Sequence, residues 1–263
     1  MKKVNLKYTD VLQNYQNKVL EWHDLMLGTF TVDHVMNYLT NPNLIKQELT
    51  ELGTATEDAN AVEILDAYLD TLWEIIPVIN FLKNFIEFYE KFAGEPMGNE
   101  ALFGANPTVE ETKEDFYYWS GTVIYVFLRK LSPNELLDSI SMINTLLNLQ
   151  QVITVLLTES LSPESLEAAT KEVIDSNFSK FILSDEIPSD AIIEDSLAAY
   201  GSLTLETSKG DPRLFILKDP SGKIRKPIGL FREPCLVKTF TGAEAVNLID
   251  LAIPLLEASA FSI

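Results

Sequence analysis

Five acidic residues are spaced so that they could act together on a cation. Glu48 and Glu51 stand three positions apart in a stretch with helical apolar spacing, so they would share one face of that helix. Glu63, Asp66 and Asp70 follow in "VEILDAYLD", where a rotation of about 100° per residue places all three within about 60° of one another. A short connection makes the two stretches antiparallel neighbours. We therefore expect the five carboxylates to converge in a groove between two helices.

Carboxylates that converge in a groove repel one another, and their pKa values rise unless something offsets the charge. Mg²⁺ would offset it, because this cation prefers oxygen ligands, takes few carboxylates and keeps several waters, and is typically shared with substrate phosphates. The alternative is a solvated helix face, since Glu-x-x-Glu is common in a chain with 39 acidic residues. The apolar neighbours of the second group leave little room for a polar face and favour the cation site: Ile64, Leu65, Tyr68, Leu69, Leu72 and Trp73.

The elements that must position these residues are mainly helices. Long runs have apolar residues at helical spacing, and 11 Gly and 12 Pro are too few to favour an all-β fold. The pattern predicts one helix over about 42–57 and a second that either continues to Gly94 or breaks near Pro77. It predicts further helices over about 9–27, 31–40, 109–130, 133–159, 163–176 and 241–263.

The pattern changes at about residue 200, where apolar and polar residues begin to alternate between turn signals. Strands are predicted near 202–208, 212–218 and 223–226, with "DPSG" as a hairpin turn. The predicted fold is therefore mainly α and has three parts. Residues 1–200 form a helical bundle with an insertion at about 80–140, residues 201–240 form a small β-hairpin element, and residues 241–263 form a C-terminal helix.

The distribution of charge argues against some classes of function. The formal net charge is −19, yet residues 207–240 hold eight Lys or Arg against three acidic residues, a net of +5. The acidic remainder would repel nucleic-acid phosphates. No apolar run reaches the ~18–20 residues of a membrane span, the N-terminus lacks a secretory h-region, and the single cysteine, Cys235, fits a reducing compartment. We expect a cytoplasmic protein that binds neither nucleic acid nor membrane.

Four segments carry a resemblance to a known group of enzymes. They are "VLEWHDLMLG" at 19–28, "ELTE" followed by "EILDAYLD" at 48–70, "EAATKEVIDSNFSKF" at 167–181, and "FILKDPSGKIRKPIG" at 215–229. In this order they resemble the all-α nucleoside triphosphate pyrophosphohydrolases. That superfamily includes MazG-like proteins, phosphoribosyl-ATP pyrophosphohydrolase-like proteins of the type common in phages, and the related dimeric dUTPases.

The resemblance implies a four-helix-bundle-type core and a Mg²⁺-dependent hydrolase, with Mn²⁺ as a substitute metal. Such an enzyme converts a nucleoside or deoxynucleoside triphosphate to the monophosphate and pyrophosphate. Glu48, Glu51, Glu63, Asp66 and Asp70 would bind the metal. Glu48 or Glu51 would also orient the attacking water or accept its proton.

The resemblance also implies contacts with the nucleotide. Asn177 and Lys180 would bind its sugar or phosphates, Lys218 a phosphate, and Trp22 could stack on the base. Each has a simpler alternative: a helix cap for Asn177, a solvated side chain for Lys180, surface charge for Lys218 and a core position for Trp22. We expect a homodimer, which would lie in the host cytoplasm if this is a phage protein.

The chain departs from the family pattern in its insertion and in its last helix. The insertion holds Glu111, Glu114, Glu135 and Asp138, which are spaced either as a degenerate second copy of the acidic motif or by coincidence in an acidic chain. These departures leave a second hypothesis open. The chain could be a non-catalytic nucleotide-binding or protein-interaction module derived from the same fold.

Overall fold

The computed structural model describes residues 6–39, 44–93, 139–183 and 190–261, which are mainly helical with one small antiparallel sheet. A 3₁₀ helix, Leu236–Lys238, precedes the last α-helix. The predicted helix over 109–130 and the acidic residues of the insertion lie outside the described residues. The α-helices are α1 (Leu6–Leu27), α2 (Val32–Leu39), α3 (Leu44–Glu57), α4 (Ala61–Ala93), α5 (Ser139–Ser160), α6 (Pro163–Phe178), α7 (Asp190–Tyr200) and α8 (Gly242–Phe261).

The core is built around α4, which packs against α1, α3, α5 and α8. The apolar residues of α4 are buried on several sides, as its sequence indicates. Of the two alternatives at Pro77, the structure shows one continuous helix. Proline removes one backbone hydrogen bond, but Ile76 and Val78 on either side are buried, and this packing sustains the helix.

The connection between α3 and α4 makes the two helices antiparallel. Ala59 adopts a left-handed conformation with φ of 51°, and the N–H of Asn60 donates to the carbonyl of Ala55 at 2.9 Å. These are the marks of a Schellman helix end. Asn60 then caps α4, because its side-chain oxygen accepts from the N–H of Val62 at 3.2 Å. The chain therefore reverses its direction within three residues, and α4 packs antiparallel to α3.

Glycine at position 59 should stabilise the protein. A residue with a side chain is strained by about 1 kcal/mol in the left-handed conformation, and glycine relieves this strain. Part of the gain is lost because glycine increases the conformational entropy of the unfolded chain. We expect Ala59→Gly to raise the free energy of unfolding by about 0.5–1 kcal/mol in urea titrations. Ala243→Gly, in the first turn of α8, is the matched control and should lower it. A loss of stability in Ala59→Gly would contradict the assigned turn.

The sheet is organised around β3 (Leu214–Lys218). β2 (Thr204–Thr207) pairs with one edge, with Thr207 opposite Phe215, and β1 (Ile182–Leu183) and β4 (Ile224–Arg225) share the other edge. The predicted "DPSG" turn links β3 to β4. Three of the strands fall where the sequence predicts them, while β1 and α7 were not predicted.

The sheet is fixed to the bundle through the C-terminal end of α1. The N–H of Gly210 donates to the carbonyl of Leu25 at 3.0 Å, and the Ser208 hydroxyl donates to the same oxygen. A Cβ at position 210 would lie only 1.9 Å from the carbonyl oxygen of Asp24, so this approach requires glycine. Within the described ranges, none of the helices is long and apolar enough to cross a membrane.

Candidate functional site

Helices α3 and α4 bring four of the five predicted acidic residues into one electrostatic group and add a fifth member. Together with Glu74, these four form what we call the carboxylate cluster: Glu48, Glu51, Asp66, Asp70 and Glu74. Glu48, Asp66, Asp70 and Glu74 are half-buried, while Glu51 is exposed. Glu63 is an exposed neighbour whose charge acts on Asp66. The cluster thus follows the α3–α4 groove that the spacing predicts.

Glu48 is the cluster member on α3 whose ionisation is most strongly disfavoured. Burial raises its pKa to about 9, and the charges of Asp70, Glu51, Glu74 and Asp66 add to the effect. A carboxyl group with this pKa keeps its proton at neutral pH unless a cation offsets its neighbours. Ionised Glu48 is therefore the least favourable charge among the acidic residues of α3.

Asp66 and Asp70 stand one helical turn apart on the same face of α4. Burial raises the pKa of both, and the charge of Asp70 is the largest electrostatic contribution to the raised pKa of Asp66. The ammonium of Lys180 acts in the opposite direction on Asp70. Lys180 therefore offsets part of the negative charge in the groove.

Glu74 belongs to the same face of α4, although the sequence analysis did not include it. Burial raises its pKa to about 8, with a further contribution from Asp70 and an opposing one from Lys180. Its Oε2 atom is shielded from solvent and has no hydrogen-bond partner within the described part of the chain. Helical spacing could have identified Glu74, because position 74 lies within about 20° of position 63 on the helical wheel. A buried oxygen without a partner is what a ligand or cation could satisfy.

Lys180 faces the cluster because the end of α6 is docked on α1. The indole N–H of Trp22 donates to the carbonyl of Asn177 at 2.8 Å. The Asn177 side-chain oxygen in turn accepts from Nζ of Lys180 at 2.7 Å, and this ammonium lies 5.6 Å from the centre of the Trp22 ring. Burial lowers the pKa of Lys180, while the charges of Asp70 and Glu74 oppose that effect. Asn177 therefore orients the lysine from within α6 and does not cap the helix.

Trp22 lies in the core, which was the alternative to stacking on a base. Its side chain is only 7% exposed, and its ring meets that of Trp73 edge to face at 5.6 Å. The neighbouring His23 is also buried, and burial lowers its pKa to about 4, so the ring is neutral at physiological pH. Its Nδ1–H donates to the carbonyl of Val19 at 2.8 Å, which leaves Nε2 to accept from the hydroxyl of Tyr38 at 2.8 Å. Trp22 thus lies behind Lys180, and His23 packs against Trp22 in the core.

A segment after the sheet also reaches the cluster. We call residues 226–235 the strap. Arg232 binds both carboxylate oxygens of Glu172 at 2.6 and 2.7 Å, and its N–H donates to the hydroxyl of Ser179 at 3.0 Å, next to Lys180. The strap carries Lys226, whose charge acts on Asp70 and Lys180. The rim of the cluster is therefore formed by a segment far away in sequence.

The structure does not bring Lys218 to this group. Its Nζ lies 2.8 Å from Oε2 of Glu206 on the neighbouring strand, within the sheet. Arg213 likewise pairs with Asp211, at 2.6 Å on the surface. Lys218 is therefore a surface charge of the sheet, which was the alternative to phosphate binding. The lysine of this part of the chain whose charge acts on the carboxylate cluster is Lys226.

Within the described ranges, no three His, Cys, Asp or Glu side chains are arranged so that they could hold a metal ion among themselves. The Mg²⁺ site therefore remains a prediction. Two surface depressions lie elsewhere. One of about 760 Å³ lies between α1 and the Lys209–Gly210 turn, and an apolar one of about 490 Å³ is lined by Phe178, Phe181 and Leu214, among others. Neither is lined by a member of the carboxylate cluster.

The chain was compared with protein-family models, with curated proteins and with solved structures, and none of them matches it.

Proposed function

We propose that this protein is a Mg²⁺-dependent nucleoside triphosphate pyrophosphohydrolase, which converts an NTP or dNTP and water to the monophosphate and pyrophosphate. One observation carries the proposal. Burial and, after it, mutual repulsion raise the pKa values of carboxyl groups on two antiparallel helices, beside a lysine that offsets only part of their charge. Such a groove suits a divalent cation, and the nearby lysine suits an anionic ligand.

The residues present fit Mg²⁺ by the chemistry of their donor atoms. The cluster offers only carboxylate oxygens, and the Oε2 atom of Glu74 is a buried acceptor without a partner in the described part of the chain. Mg²⁺ accepts few protein ligands and keeps waters, so a preformed cage of three or more acids is not required. Its ligands would come from Glu48, Glu51, Asp66 and Asp70, some of them through bound waters, with Glu63 at the exposed edge. The bound cation would polarise phosphate oxygens and lower the pKa of a bound water.

The chain's own groups supply the rest of the chemistry. Glu48 or Glu51 would orient the water and accept its proton once a cation has made the ionised form stable. Lys180 would bind a phosphate oxygen, and Asn177 would hold its ammonium in place. Water adds across the anhydride between the α and β phosphates, so no covalent intermediate is required.

The packing of α1, α3 and α5 against α4 supports a core of the four-helix-bundle type. We further propose a homodimer that acts on nucleotides in the cytoplasm. Size-exclusion chromatography with light scattering would test the dimer.

The direct test incubates the purified protein with canonical and modified NTPs and dNTPs in the presence of Mg²⁺ or EDTA. We expect pyrophosphate and a nucleoside monophosphate as the products, and no turnover with EDTA. Orthophosphate as the first product would contradict the assigned bond cleavage. Tight nucleotide binding by calorimetry, without turnover of any nucleotide, would instead favour the non-catalytic module.

A further inference from the structure

The strap carries an ion pair at the edge of the carboxylate cluster. Nζ of Lys226 lies 3.0 and 3.2 Å from the two carboxylate oxygens of Glu233. Both charges reach the groove, because that of Lys226 acts on Asp70 and Lys180, and that of Glu233 acts on Asp66. A cation and its anion therefore stand together at the rim of the proposed substrate site.

The ion pair between Lys226 and Glu233 is weak because both side chains are open to solvent. The side chain of Lys226 is 43% exposed and that of Glu233 is 71% exposed. Ion pairs this open to water contribute little to stability, since each partner is solvated almost as well alone. The ring of Phe231, 4.2 Å from the Lys226 ammonium, offers it a second favourable contact that does not depend on Glu233. Another anion could therefore replace Glu233 without a large loss.

The strap itself is held by other contacts, so the exchange would not displace it. The N–H of Ile228 donates to the buried hydroxyl of Ser196 at 2.9 Å. At the other end, the guanidinium of Arg232 and the N–H of Cys235 both bind the carboxylate of Glu172. These anchors fix the strap beside the turn that carries Lys180. Two lysines from distant parts of the chain thus face one acidic groove.

We propose that Lys226 is a second phosphate-binding cation, which Glu233 occupies in the absence of substrate and which the polyphosphate chain of the nucleotide takes over. This inference rests on the proposed function, because it assigns a partner to the phosphates of the same substrate. A phosphate group offers more charge and more acceptor oxygens than one carboxylate, so it competes for the three N–H donors of the ammonium. The departure of Glu233 also removes a negative charge from the path of an anionic substrate.

The kinetic test compares Lys226→Met, Glu233→Gln and the control Lys223→Met, which removes a charge from the β3–β4 turn. We expect Lys226→Met to raise KM for the nucleotide about tenfold, with a smaller effect on kcat. Glu233→Gln should lower KM several-fold, because it frees the ammonium. A purely structural pair would shift KM in the same direction in both variants, and that result would overturn the inference. So would a KM in Lys226→Met equal to that of Lys223→Met.

A binding measurement separates this inference from the proposed function. Inorganic tripolyphosphate is titrated by calorimetry into each variant in the presence of Mg²⁺, with the melting temperature as a check of folding. Weaker binding to Lys226→Met and tighter binding to Glu233→Gln support the inference even if no nucleotide is hydrolysed, in which case only the proposed function fails. Equal binding to all variants of a protein that hydrolyses nucleotides overturns the inference alone.

Discussion

Replacing Asp66 with Asn is expected to lower the rate of pyrophosphate release at least about 100-fold and, at the same time, to raise the melting temperature of the metal-free protein at pH 8. The activity should fall because an amide keeps the shape of the carboxylate but not its charge. Residues that only hydrogen-bond to a metal ligand already cost about 10–100-fold in activity when they are replaced, so the loss of a ligand should cost at least as much. Steady-state kinetics with saturating Mg²⁺ measure this effect. Glu63→Gln, at the exposed edge, should reduce the rate less.

The gain in stability follows from the raised pKa of Asp66. Burial and the charges of Asp70, Glu63, Glu51 and Glu233 make the ionised carboxyl group less favourable in the folded protein than in the unfolded chain. At pH 8 the neutral amide avoids that penalty. The rise from 3.8 to about 7 spans about three pKa units of about 1.4 kcal/mol each, and relaxation of the folded protein and water entry reduce that sum, so we expect Asp66→Asn to raise the free energy of unfolding by at least about 1–2 kcal/mol.

Glu244 provides the matched control, because its carboxylate has the opposite environment. Burial opposes its ionisation, but the N–H groups of Ser162 and Thr241 donate to it at 2.7 Å each and lower its pKa to about 2. Glu244→Gln should therefore lower the melting temperature under the conditions in which Asp66→Asn raises it. If Asp66→Asn folds normally and retains full activity, the metal assignment is wrong.

The groove was predictable from sequence because it depends on local periodicity. Helical spacing places Glu48 with Glu51, and Asp66 with Asp70, and a short link brings the two helices side by side. The link is shorter than most because Ala59 accepts a left-handed conformation that its residue type does not favour. Glu74 follows from the same periodicity, because it stands one helical turn after Asp70 on the same face of α4.

The rim of the site was not predictable, because it depends on pairing between distant segments. Lys218 and Lys226 both lie in the net positive stretch 207–240, and only the register of β2 against β3 places Lys218 beside Glu206. The anchoring of the strap by Arg232 and Glu172 joins residues 60 positions apart. β1 has only two residues and exists because β3, about 30 residues later, supplies its hydrogen bonds. Local propensity contains none of this information.

The stability of the metal-free protein is expected to fall steadily as the pH rises from about 6.5 to 9, and Mg²⁺ should reverse most of that fall. The pKa of Glu48 is raised from 4.5 to about 9 and that of Glu74 from 4.5 to about 8. Over this window the folded protein therefore holds protons that the unfolded chain has already lost. Stability decreases with pH wherever the folded state binds more protons, and the decrease ends once Glu48 is ionised near pH 9.

The melting temperature in EDTA should fall by at least about 5 °C across this window, since each kilocalorie corresponds to about 2–4 °C in a chain of this size. Mg²⁺ binds the ionised carboxylates, so the difference in melting temperature between Mg²⁺ and EDTA should grow as the pH rises. Thermal scans at half-unit pH steps measure both quantities. Glu48→Gln should flatten the fall above pH 7, whereas Glu206→Gln, on the exposed sheet, should not. A melting temperature in EDTA that stays level up to pH 9 would mean that the cluster carries no uncompensated charge, and the case for a cation in the groove would be lost.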